Sequence, residues 1–82
     1  MITHSNMTAI VTIYHGPTEH KGSRIIADAG MKRRATVNYD PALNSDENHA
    51  AAAQALCLKL GWKGDMIGGG TEYGHAFVFT GA

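Results

Sequence analysis

Five histidines, one cysteine and a run of glycines are the residues of this 82-residue chain whose types invite chemistry. The segment from Tyr14 to Arg24 holds His15, Glu19 and His20, two imidazoles and a carboxylate in one short stretch. Zinc sites are built from tight pairs such as C-x2-C or H-x3-H. His15 and His20 fall outside that spacing, His49 stands near a predicted helix start, and His4 and His75 are remote in sequence. The five histidines therefore read as surface residues, and no metal or cofactor is expected.

Nucleophilic and nucleotide chemistry are no better supported. Cys57 falls within a predicted helix, on or beside its apolar stripe, where a thiol far from cations is inert. His49 lies about 12 Å away along that helix, beyond hydrogen-bond reach. A lone cysteine excludes an intrachain disulfide and a multi-thiolate metal site, and it accords with a reducing cytoplasm. There is no G-x-S-x-G and no carboxylate pair placed for acid–base work. The stretch from Gly64 to Thr71 puts Gly70 where a phosphate-binding loop needs lysine, and from Gly68 the last slot of G-x-G-x-x-G is Tyr73. Both motifs also need a strand before and a helix after them, the reverse of the order here. The glycines read as a hairpin tip, and the chain is not expected to be an enzyme.

The cations carry more weight. Lys and Arg together equal Asp and Glu at seven each, which excludes binding by bulk charge and acidic mimicry of nucleic acid. Lys21, Arg24, Lys32, Arg33 and Arg34 are nonetheless clustered in sequence, with Asp40, Asp46 and Glu47 behind them. A hairpin carrying them sets the two cationic groups at opposite ends, about 20 Å apart, so they form two contact surfaces. The candidates for binding a partner are His20, Lys21 and Arg24 in the loop, with Lys32 and Arg34 on the outer hairpin face.

The elements that must position these residues follow from patterning. Residues 1–7 read as a disordered tail with no basic or apolar leader signature, and residues 8–82 as one small domain. No apolar run nears the roughly 20 residues of a membrane span. Strands are predicted over residues 8–14, 23–29 and 32–40, rich in β-branched side chains. A two-residue turn at Gly30-Met31 sets Asp28 opposite Arg33 and Ile26 opposite Ala35. Ile26, Ala35, Val37 and Tyr39 then face the core, and Ile25, Lys32, Arg34, Thr36 and Asn38 face outward.

From Ser45 to Leu60 the chain predicts a helix about 24 Å long. Asn44 or Ser45 can cap it, Asp46 and Glu47 suit its first turn, and Gly61 ends it. Its core stripe is predicted as Ala50, Ala53, Leu56 or Cys57, and Leu60. The opposite face, Ala51, Ala55 and Leu58, is apolar too and predicts a homodimer interface. Phe77 and Phe79 on the closing strand point inward. The order is β-β-β-α-β-β, an α+β fold: an antiparallel sheet with one α-helix packed on one face.

Three segments together carry a likeness: Pro17 to Ile25 (PTEHKGSRI), Tyr39 to His49 (YDPALNSDENH) and Lys59 to Trp62 (KLGW). Over residues 11 to 79 the chain resembles small, uncharacterised proteins carried by phages and mobile elements of Gram-negative bacteria. The resemblance implies a binder of a host protein or ribonucleoprotein complex in the host cytoplasm, an inhibitor of host defence of the anti-CRISPR type. The alternative is a nucleic-acid-binding accessory protein that uses Lys21, Arg24, Lys32 and Arg34.

Overall fold

Burial at every second position marks the first three strands. In a computed structural model that describes residues 8–80, β1 (Ile10–His15), β2 (Arg24–Asp28) and β3 (Arg34–Asn38) precede α1 (Ser45–Leu60). β4 (Met66–Gly70) and β5 (Gly74–Phe79) follow it. Every neighbouring pair in the order β3-β2-β1-β5-β4 is antiparallel, and α1 packs on one face, so the fold is α+β with the predicted element order. The predicted tail, residues 1–7, lies outside the described residues.

The inner face brings Ile10, Ile25, Ala27 and Phe77 against Ala52, Ala53 and Leu56 of α1. Burying a side chain such as Leu56 contributes about 1.5–3 kcal/mol, so these few contacts supply much of the stability of a small domain. The helix starts at a capping box: Asn44 Oδ1 accepts the Glu47 amide at 2.8 Å, and Glu47 Oε1 accepts the Asn44 amide at 3.0 Å. Asn44 is therefore the cap, not Ser45. Gly61 closes the helix in the left-handed conformation, φ 74°, and the Trp62 amide returns to the Cys57 carbonyl at 2.9 Å. Asn48 fastens the β3–α1 connection, accepting the Asp40 amide at 2.8 Å and donating to the Asp40 carbonyl at 3.0 Å.

Three local expectations are corrected. The β2–β3 connection holds three residues rather than two, because Ala29 donates its amide to the Arg33 carbonyl at 2.9 Å across Gly30, Met31 and Lys32. All three have positive φ, and side chains secure the longer turn. Asp28 Oδ1 accepts the Gly30 amide at 2.6 Å, and the Arg33 guanidinium donates to the Gly30 and Ala29 carbonyls. The pairing accordingly shifts by one, so Asp28 faces Arg34 and Ala27 faces Ala35. A shift of one residue exchanges a strand's two faces. Ile25 is buried and Ile26 lies on the outer face, the reverse of the prediction.

The helix stripe is rotated as well. Asn48, His49, Ala52, Ala53 and Leu56 are its buried residues, and Ala50 is exposed. Finally, the glycines are not a hairpin tip: Gly68, Gly69 and Gly70 pair with Phe77, Ala76 and His75 inside β4. A Cβ on Gly68 would stand 2.5 Å from the Phe77 ring, so the ring occupies the space a side chain would take.

Candidate interaction surfaces

The alternation that buries one sheet face leaves the other without a covering element among the described residues. Along β1 the outward residues are Val11 and Ile13, each 38 % exposed. Ile13 pairs with Ile26 on β2, Val11 with Ala76 on β5, and Val78 on β5 with Ile67 on β4, which is 63 % exposed. Apolar side chains thus run across four strands of the open face. Placing Phe77 and Phe79 inward leaves Val78 outward by alternation, but the sequence pattern does not join these residues, because their neighbourhood is set by strand order.

The predicted contact residues frame this face without forming one patch. Arg24 pairs with His15 on β1 and Asn38 on β3 at one end of the hairpin. Asp28 and Arg34 form an ion pair at 2.7 Å at the other end, about 14 Å away by strand rise. Asp28 is thus bonded to Arg34 and not to Arg33, whose guanidinium lies 5.2 Å from the Trp62 ring on the inner side. The Gly30 amide first, and Arg34 second, lower the Asp28 pKa below its usual value. Lys32 is exposed within the β2–β3 turn. His20 and Lys21 are exposed in the β1–β2 loop, where Thr18 donates its amide to the Lys21 carbonyl at 2.7 Å and Lys21 donates its own to Thr18 Oγ1 at 3.1 Å. Arg24 is half-buried, and its Nη1 has no acceptor among the described residues.

Two histidines expected at the surface pack instead between α1 and the sheet. His49 is 3 % exposed, its Nδ1 lies 2.7 Å from Thr12 Oγ1, and its ring is 4.1 Å from that of His75. His75 Nε2 donates to the Asp46 carboxylate at 2.9 Å. Burial first, and the neighbouring His75 second, lower the His49 pKa, while Asp46 opposes them. Thr12 is fully buried, which removes it from any role as a nucleophile toward solutes. Cys57 donates to Met66 Sδ at 3.7 Å, and burial raises its pKa, away from a reactive thiolate. Among the described residues no three His, Cys, Asp or Glu side chains are grouped to hold a metal ion, and no helix is long and apolar enough to cross a membrane.

The predicted dimer residues differ in placement. Ala51 and Leu58 are exposed, Leu58 by 76 %, whereas Ala55 is half-buried. No family model, no curated protein and no solved structure matches the chain.

Proposed function

We propose that this protein is a non-enzymatic interaction module of the phage-borne type, which inhibits a host defence complex by occupying one of its surfaces. One observation carries the proposal: the uncovered outer sheet face bears Val11, Ile13, Ile26, Ala76, Val78 and Ile67 as neighbours. Antiparallel sheets that face water ordinarily present polar residues there, and a contiguous apolar patch marks a contact surface. Arg24 stands half-buried at its margin, and a guanidinium there suits a carboxylate of the partner. Lys21 and His20 extend that end, and Lys32 and Arg34 stand at the other. The likeness of residues 17–25, 39–49 and 59–62 to phage-borne proteins supports a host defence complex as the target.

Phage plating on CRISPR-bearing cells tests this. Expression of the protein is expected to restore plating, and Ile13→Glu or Arg24→Ala is expected to abolish the effect while the purified variants stay folded. Equal plating with and without the protein rejects the proposal. The nucleic-acid alternative predicts binding that weakens by about one log–log unit of salt per phosphate contact. Binding that is unchanged in the double variant Lys32→Glu/Arg34→Glu rejects that alternative.

A further inference from the structure

The two edges of the sheet are finished differently. Ala29 and Tyr39 form the bonded pairs that bracket β3, which turns the backbone groups of Arg34, Thr36 and Asn38 outward. There Lys59 of α1 donates its Nζ to the Arg34 carbonyl at 2.8 Å, and Arg34 adds its own charge. Lysine and charge at an edge are devices that stop further strand pairing. β4 has none of them.

The Thr80 amide donates to the Asp65 carbonyl at 3.0 Å, and the Thr71 amide to the Gly74 carbonyl at 2.8 Å. By alternation Ile67 and Gly69 also turn toward β5, and Met66, Gly68 and Gly70 turn their amides and carbonyls outward. Met66–Gly70 contains no charged residue and no proline, and Gly68 to Gly70 are exposed. A Cβ on Gly69 or Gly70 would meet nothing within 4 Å, so the space above and below these residues is free.

A groove lies beside that edge. α1 packs chiefly on β1, β2 and β3 and more lightly on β5, and it reaches β4 at Met66 through Cys57. The space holds about 320 Å³ and is lined by Ala50, Gln54 and Leu58 of α1 with Trp62, Met66 and Phe77. A strand added to β4 would point every second side chain over this inner face, between β4 and α1. The geometry points to β4 as a docking edge for an extended segment of a partner protein, its alternate apolar side chains filling the groove. Asp65 at one end of β4, with Glu72 beyond the other, suits lysine at the ends of that segment.

A second copy of this chain is the poorer occupant. Its own β4 would present Met66 and two glycines to the groove side, leaving the space unfilled. This docking edge is a different surface from the outer face, so either can fail alone.

The probe is a fluorescein-labelled heptapeptide, Lys-Val-Thr-Leu-Thr-Val-Lys, titrated into the full chain and followed by anisotropy and by amide exchange. Saturable binding is expected, with slowed exchange at Gly68 and Gly70. The peptide N-methylated at alternate residues is expected to bind about ten-fold or more weakly, the equivalent of one or two net hydrogen bonds. Gly70→Pro is expected to weaken binding likewise, since the amide it removes points away from β5. If that variant misfolds, the N-methylated peptide still decides the matter. No saturable binding at millimolar peptide, or binding with Gly68 and Gly70 exchange unchanged, overturns the inference. So does concentration-dependent protection of both glycines in the free protein, which assigns the edge to a second copy. Ile13→Glu is expected to keep peptide binding; its loss of anti-defence activity, with no peptide bound by the wild type, leaves the outer-face proposal standing and removes this one.

Discussion

At the scale of single residues, His49 shows how tertiary contacts change what a side chain does. In sequence it is a polar residue near a helix start; in the fold it is wedged between Thr12 and the His75 ring. Its lowered pKa means that the unfolded chain takes up a proton near pH 6.5 while the folded protein does not. Stability therefore falls as pH drops from about 6.5 toward the lower folded value, and it is retained above that window. Urea denaturation at pH 7 and pH 5 is expected to give a lower midpoint at pH 5, and His49→Gln is expected to reduce the difference. An equal pH dependence in the variant would assign the loss to other groups. None of this was legible beforehand, because it depends on α1, β1 and β5 meeting at one point.

At the scale of elements, α1 was legible almost whole. Its cap, acidic first turn and terminal glycine are local signals, acting through backbone amides and carbonyls within a turn of each other. Asn44→Ala is accordingly expected to cost about 1 kcal/mol in urea denaturation. A β-strand has no such self-contained grammar. The pairing of β2 with β3 turned on one extra loop residue, and that residue decided whether Ile25 or Ile26 entered the core. The β1–β5 pair is held just as closely: a Cβ on Gly74 would stand 1.8 Å from the Thr12 carbonyl oxygen. Gly74→Ala is expected to cost about 3 kcal/mol, the upper end of overpacking effects, since the strands must separate to admit it. A variant with wild-type stability would show that this pair can relax.

At the scale of the whole molecule, zero formal net charge joins an open apolar sheet face and an exposed Leu58. Both features favour association near neutral pH. We propose that α1 mediates a homodimer through Ala51, Leu58 and the half-buried Ala55, a contact that competes with a segment docked at β4 because Leu58 also lines that groove. Light scattering is expected to give twice the 8.7 kDa chain mass at micromolar concentration, and Leu58→Glu is expected to return it to the monomer. The monomer mass in wild type would reject the dimer. Dimers persisting in Leu58→Glu would place the contact elsewhere, with the β4 edge the first place to look by amide exchange.

By itself the sequence determined the element order, the α+β class, the helix with a cap at Asn44 or Ser45, and the inward placement of Phe77 and Phe79. Those properties rest on periodicity and on interactions within a few residues. It also placed the five candidate contact residues near two ends of one hairpin, because strand rise alone separates them. Only the tertiary structure decided which residues share a surface. Ile13 and Ile26, or Val78 and Ile67, become neighbours through strand order and register, quantities set by long-range pairing that no local pattern encodes. The same holds for the glycines of β4: in sequence they signal a turn, and beneath Phe77 they form an open strand edge.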